Sequence, residues 1–287
     1  AKNAIEQILI NSKMCALGKR PICQDTGIVN VFLEVGMNVQ WESELSLEDM
    51  INEGVRRAYN EPDNRLRASI VDDPLFSRKN TQDNSPAVIH TKIVKGDTLD
   101  ITVAAKGGGS ENKSKFTVLN PDDSLTDWVL KTIPTMGAGW CPPGMIGIGA
   151  GGTAEKAMLM AKASLMEPID INSIKTKANP SDIEKLRIDL FDQINGLGIG
   201  AQGLGGLTTV LDVKINDYPT HAASLPVAMI PNCASTRHVH FSLDGTGVAE
   251  LPEVDLSLYP DLEMDVSKYT KVDLNSLTQS QMNEWNI

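Results

Sequence analysis

Three cysteines of this 287-residue chain lie in three separate loops shaped by glycine and proline. Cys23 sits in Pro-Ile-Cys-Gln-Asp-Thr-Gly, Cys141 in Gly-Trp-Cys-Pro-Pro-Gly and Cys233 in Pro-Asn-Cys-Ala-Ser-Thr. Loops carried on a scaffold are where chemistry concentrates, and thiolates are strong ligands for soft and borderline metals. Three sulfurs brought to one place can hold an iron–sulfur cluster and leave one iron without a protein ligand. Such an iron is a Lewis acid. The fourth cysteine, Cys15, lies within a helical pattern and reads as a small buried hydrophobe.

Gln24-Asp25-Thr26 follows Cys23 directly, so its polar groups are placed to contact a ligand at the thiolate or to give it a proton. An Asx-type turn ending at Gly27 accounts for the same residues equally well. Arg67 and Lys106 are candidate carboxylate clamps, against the commoner role of a solvated charge. His221 stands in a small-residue loop, where a lone histidine is more often structural than catalytic. His238 and His240 alternate on a strand pattern beside Arg237 and form a weak metal signal, and the sequence lacks the short Cys-x-x-Cys clips usual for zinc.

Glycine-rich runs raise a nucleotide reading. Gly147 to Gly152 fits G-x-G-x-x-G with Asp170 downstream, but Cys141-Pro-Pro-Gly leaves little room for the strand that must feed such a turn. Gly198 to Gly203 fits too, with helix and strand in the reverse order, and the P-loop-like Gly107 to Ser114 has Asn112 at a required glycine. Tight turns and close backbone packing explain these runs better.

The elements that must position these loops follow from periodicity. Helices are expected over Ala4–Cys15, Ser46–Tyr59, Ser124–Ile133 and Ala154–Met166, and from Ser181 to Gly196, with Ser46/Asp49 and Ser181/Glu184 as capping boxes. Strands are expected over Ile28–Val35, Val210–Ile215 and Val239–Leu243; Val88–Val94 and Thr98–Ala105 read as a hairpin across Lys95-Gly96-Asp97. Lys106 to Ser110 reads as a loop. From Leu251 the chain turns acidic, with Pro252 and Pro260 as breakers, and reads as a surface-running tail. The pattern predicts an α/β domain with a mixed central sheet and flanking helices.

A net charge of −11 argues against nonspecific binding to nucleic acid or to an acidic membrane, and 5% aromatics against stacking on single strands. An anionic substrate therefore needs a local positive site. No apolar run approaches the roughly 18 to 20 residues of a transmembrane helix. Four cysteines are too few for a disulfide scaffold in a chain this long, which points to a reducing cytoplasmic setting.

Taken together, Cys23-Gln-Asp-Thr-Gly27, Lys106-Gly-Gly-Gly-Ser-Glu-Asn-Lys113, Gly139-Trp-Cys-Pro-Pro143, Gly200-Ala-Gln-Gly-Leu-Gly-Gly206 and the stretch from His221 to Cys233 resemble the class I fumarases. These are iron–sulfur fumarate hydratases, related to the two-subunit L-tartrate dehydratases. The resemblance implies a [4Fe–4S] cluster ligated by Cys23, Cys141 and Cys233, with the fourth iron open to substrate. It also implies that Gln24, Asp25, Arg67, a glycine of the Gly107–Gly109 turn (Gly108) and His221 surround the substrate. Asp25 would handle the proton at the hydroxyl, with His221 beside it. Arg67 and the glycine amide would hold carboxylate oxygens.

Members of this family carry a second domain or a β subunit that supplies further arginines, a lysine and a threonine base, and Val272 to Thr278 resembles the segment leading into it. Residues 1–250 are thus expected to be the cluster-bearing α-type domain, and 251–287 a tail or linker toward a missing C-terminal domain. The implied activity is reversible hydration of fumarate to L-malate, a tricarboxylic acid cycle step, by a homodimer whose isolated N-terminal part is inactive. The alternative is an L-tartrate dehydratase α component. An iron–sulfur sensor module and an NAD-dependent enzyme using Gly147 to Gly152 stand behind these.

Overall fold

The computed structural model describes residues 2–247 together with 255, 257 and 259. Helix α1 (Lys2–Gly18) is followed by β1 (Ile28–Gly36), α2 (Leu47–Tyr59), β2 (Val71–Asp72), β3 (Lys79–Asn80), β4 (Val88–Val94) and β5 (Leu99–Lys106). Next come α3 (Gly108–Glu111), β6 (Lys115–Leu119), α4 (Leu125–Thr132), β7 (Gly144–Gly151), α5 (Ala154–Ser164), α6 (Ile171–Lys175) and α7 (Asp182–Gly196). Strands β8 (Val210–Tyr218), β9 (Leu225–Cys233) and β10 (His238–Leu243) complete the described strands and α-helices. The expected acidic tail and the Val272–Thr278 segment lie outside the described residues, apart from the three isolated positions.

The strands form two four-stranded mixed sheets, β10-β5-β1-β4 and β6-β9-β7-β8, and a small β2-β3 ribbon. The α/β class with mixed sheets and flanking helices is as expected, but two sheets replace the single one. Three of the helices begin where the sequence offers a side-chain oxygen to the first turn. Ser46 accepts from the Asp49 N–H and Ser124 from that of Asp127, and Ser181 forms a complete capping box with Glu184.

Burial sets the layering. Val55 and Tyr59 of α2 pack on Val29, Val31, Leu33 and Val35, one face of the first sheet. Val129 of α4 and Leu190 and Ile194 of α7 cover Ile146, Ile148, Val213 and Met229 on the outer face of the second. Helix α5 lies between the sheets, with Ala157 and Ala161 grouped with Met145, Ala228 and Ile230 on one side and Ala104 and Phe32 on the other. Gly147 and Gly149 lie inside β7, where a Cβ would overlap the carbonyl oxygens of Ala161 and Ala157. The G-x-G-x-x-G run therefore lets a helix approach a strand; its first two glycines form no phosphate-cradling turn.

Four further expectations are corrected. Strands β4 and β5 form no hairpin, because β1 lies between them, parallel to β4 and antiparallel to β5. Strand β1 buries Val29, Val31, Leu33 and Val35 on one face, with Glu34 exposed on the other, and takes an interior position with a partner on each edge, while Lys95-Gly96-Asp97 straps across its end, the Gly96 carbonyl accepting from the Asn38 N–H at 2.9 Å. The loop after Lys106 closes into the single turn α3, and α5 stops at Ser164 instead of Met166. Cys15 is half-buried on α1, a helix with no buried residue, and its Sγ contacts the Pro21 carbonyl at 3.4 Å. Among the described residues, no helix is long and apolar enough to cross a membrane.

Candidate active site

The two sheets meet where the chain leaves β9 at Cys233 and enters β10 at His238, and the three cysteine loops gather at this crossing. Gly144, just after Cys141-Pro-Pro, pairs with Cys233 across the β7–β9 ladder. A side chain at Gly144 would overlap the Asn232 carbonyl, so glycine is what lets the Cys141 loop lie against the end of β9. Cys141 itself takes a left-handed φ of 57°, which costs a non-glycine residue about 1–3 kcal/mol and persists only when its surroundings enforce it. The enforcing partner is Gln202, whose backbone N–H and Nε2 both donate to the Pro142 carbonyl, at 2.5 and 3.0 Å.

The Cys23 loop is tied down on every side. Its Asp25 carboxylate accepts from the Gly27 N–H at 3.0 Å and the Gly108 N–H at 2.7 Å. Arg237 donates to the Asp25 carbonyl at 2.7 Å and the Ala105 carbonyl at 3.0 Å. Tyr59 donates to the Thr26 carbonyl at 2.8 Å, and burial pushes its hydroxyl pKa up. Asn84, fully buried, donates to the Gly27 carbonyl and accepts from the Ser69 N–H, so it joins the Cys23 loop to the segment carrying Arg67. Gly27 has a φ of 87°, and a Cβ there would meet the Ala105 backbone at 2.7 Å.

Arg67 is exposed, and its Nη1 donates to Gln24 Oε1 at 2.7 Å. Arg67 also lines a cleft of about 430 Å³, together with Arg65, Asn80 and Gln82 among others. This is a local positive site of the kind an anionic ligand needs in an acidic protein. Lys106 is buried instead, 2% exposed, with its Nζ donating to Ser110 Oγ at 2.6 Å. Burial drives its pKa down to about 8, opposed mainly by the nearby Glu111 carboxylate and more weakly by Cys233. Lys106 thus braces the glycine turn from behind and is not free to clamp a ligand.

The Cys141 thiol pKa is raised first by partial burial of the sulfur, although the residue as a whole is exposed, and then by the charges of Cys233, Cys23 and Asp25. The three thiols therefore share one electrostatic neighbourhood. All four cysteines are free. Among the described residues, no three His, Cys, Asp or Glu side chains are gathered tightly enough to hold a single metal ion. A multi-iron cluster is less demanding in that respect, because it presents a different iron to each thiolate. The three thiols, from three loops, are mutually sensitive without converging on one ion.

His221 is not brought to this corner. Strand β7 begins beside Cys233 and ends beside Tyr218, and His221 follows Tyr218. At about 3.3 Å per residue the strand separates the two ends by more than about 20 Å. His221 is exposed there, its Nδ1 accepting from the Ala223 N–H at 3.2 Å. Gly108 is present, but its amide is engaged by Asp25. Nothing in their local sequence marks Arg237, Asn84 or Tyr59 for the site; Gln202 lies within a glycine-rich motif that could flag it.

The profile of the fumarate hydratase (Fumerase) family matches residues 1–242. The chain belongs to this family. Within it, the chain is 38% identical over 247 residues to the putative L(+)-tartrate dehydratase subunit alpha of Methanocaldococcus jannaschii, covering 83% of each. It is 29% identical over 221 residues to the L(+)-tartrate dehydratase subunit alpha of Escherichia coli K12, covering 76% of this chain and 71% of that one. It is also 30% identical over 251 residues to the E. coli K12 class I, anaerobic fumarate hydratase, covering 84% of this chain but 45% of that protein. In a Fumerase-family chain the five sequence blocks therefore belong to one shared fold.

Proposed function

We propose that this chain is the thiol-bearing component of a two-part iron–sulfur hydro-lyase acting on a four-carbon dicarboxylate, with L-tartrate as the favoured substrate. The observation that carries the reading is the Asp25 carboxylate, held by two backbone amides beside the three-thiol corner and one residue from Gln24, which accepts from Arg67. Cys23, Cys141 and Cys233 would hold the cluster, and what a [4Fe–4S] group supplies when bound is Lewis acidity toward a departing hydroxyl at an iron without a protein ligand.

The remaining work falls to the chain's own groups. Arg67 has spent one nitrogen on Gln24 and keeps the rest of its planar fork for a carboxylate. That bond occupies Gln24 Oε1 and so leaves its Nε2 facing outward as a second donor. Asp25 takes or gives the proton of the hydroxyl that leaves or arrives, and the Gly27 and Gly108 amides fix which way its oxygens point. Gly108 thereby serves substrate chemistry through Asp25. Leu204 and Leu207, 70% and 88% exposed on the loop that holds Cys141, form an apolar rim for a second polypeptide to cover. The subunit alpha names of two relatives, and the greater length of the fumarate hydratase, support such a partner.

Tartrate is favoured because the relative covering 83% of both chains bears that name. Fumarate is the second reading, supported by the 30% match to a fumarate hydratase over 84% of this chain. The test is an anaerobic assay of the whole enzyme, this chain with its partner polypeptide, on both substrates. Loss of water from tartrate gives an enol that becomes oxaloacetate, which NADH and malate dehydrogenase detect. We expect kcat/KM for L-tartrate to exceed that for fumarate by about tenfold or more. The opposite order moves the assignment to fumarate, and no turnover of either sinks the hydro-lyase reading.

A further inference from the structure

We propose that Arg237 is a positioning residue for Asp25, setting the height of the Cys23–Gly27 loop above the Gly107–Ser110 turn. The role rests on Asp25 handling the proton as proposed above. Arg237 lies in the crossing between the sheets, four residues beyond Cys233. Its own carbonyl accepts from the Ala105 N–H at 2.9 Å, and its Nε returns a donation to the Ala105 carbonyl at 3.0 Å. The residue is thus locked to the end of β5 from both main chain and side chain.

With the base of the side chain fixed, Nη1 reaches the Asp25 carbonyl at 2.7 Å. The third nitrogen, Nη2, borders the hollow in front of Gly107: a Cβ at Gly107 would lie 3.5 Å from Nη2 and 3.4 Å from Asp25 Oδ2. One rigid guanidinium plane therefore spans β5, the Asp25 main chain and the glycine turn. Asp25 Oδ2 meets the Gly108 N–H only if the loop stands at that height. The side chain is half-buried, so water is a poor substitute for either bond. A lysine, with one compact charge on a flexible stem, can reach either carbonyl but cannot span both.

The test compares Arg237→Met and Arg237→Lys by three readouts: kinetics of the whole enzyme, thermal melting, and amide hydrogen exchange in the full chain. For Arg237→Met we expect kcat to fall about 100-fold with KM changed by less than about threefold. The Gly108 amide should exchange at least about tenfold faster, while the amides of Ile146 and Met229 in the second sheet stay protected. Arg237→Lys should recover part of both losses. A kcat within about twofold of wild type, an effect on KM alone, or unchanged Gly108 exchange overturns the proposal. If Arg237→Met exposes the core amides as well, Arg237→Lys decides: folded with normal kcat and normal Gly108 exchange, it overturns the proposal, and folded with both altered, it supports it. A wild-type enzyme that turns over no dicarboxylate defeats the hydro-lyase reading instead, and Gly108 exchange still reports on Arg237.

Discussion

Asp25→Asn lowers kcat by about 10²- to 10⁴-fold while the fold and the bound iron survive. General acid–base catalysis by one positioned group contributes about that factor, and a carboxamide keeps the shape while losing the proton. The structural cost is smaller. Both carboxylate oxygens accept backbone N–H groups, from Gly27 and Gly108, and an amide has only one oxygen to offer. One N–H is left unpaired, which costs about 1–3 kcal/mol. A 10³-fold loss of rate corresponds to about 4 kcal/mol in the barrier, so the kinetic effect should exceed the stability effect. Steady-state kinetics, iron content and denaturant unfolding on the same sample separate the two. Activity within about tenfold of wild type would remove Asp25 from proton transfer.

Gly144→Ala destabilises the fold by about 3 kcal/mol and opens the thiol corner. The new Cβ would stand 1.9 Å from the Asn232 carbonyl oxygen and 2.9 Å from the Cys233 Cα. Both are backbone atoms, so no rotamer change relieves the overlap, and β7 and β9 must part at the rung that joins them. Overpacking of this kind costs about 1–3 kcal/mol, and a clash against main chain belongs at the upper end. Gly54→Ala in α2 is the control, because a Cβ there meets nothing within 4 Å. Removing a mid-helix glycine should stabilise by about 0.5–1 kcal/mol. Denaturant midpoints and iron retention after reconstitution read both effects. Equal behaviour of the two variants would mean that Gly144 does not set the Cys141–Cys233 approach.

Local signals made the helices legible. Ser46 and Ser181 cap where their sequences announce it, and the β-branched run from Ile28 is the strand expected of it. Pairing was not legible. Lys95-Gly96-Asp97 carries hairpin chemistry, yet β1 slots between its two arms, a long-range choice that gives β1 a hydrogen-bonded partner on each edge. Strand β9 escaped because Pro226 and Pro231 break its pattern, and β7 because its glycines resemble a turn. In both cases the close approach of a neighbouring element decides the conformation, and a one-dimensional pattern does not contain it.

At the site, the cysteine loops and Asp25 stood out because each combines reactive side chains with turn-forming neighbours. Arg237 and Asn84 did not, since their importance lies in carbonyls that are distant in sequence and adjacent only in the fold. His221 shows the converse. Its sequence setting matches a motif, but the strand register carries it to the other end of the second sheet from the cysteines.

Whether the thiol corner holds a cluster is decided by the iron and acid-labile sulfide bound after anaerobic reconstitution of the chain and of its four single Cys→Ser variants. A [4Fe–4S] site gives about four iron and four sulfide per wild-type chain, and the same for Cys15→Ser. Cys23→Ser, Cys141→Ser and Cys233→Ser should each retain less than about one quarter of that. Wild-type loading in any of those three, or an equal loss in Cys15→Ser, would contradict the assignment of the thiol corner as a cluster site.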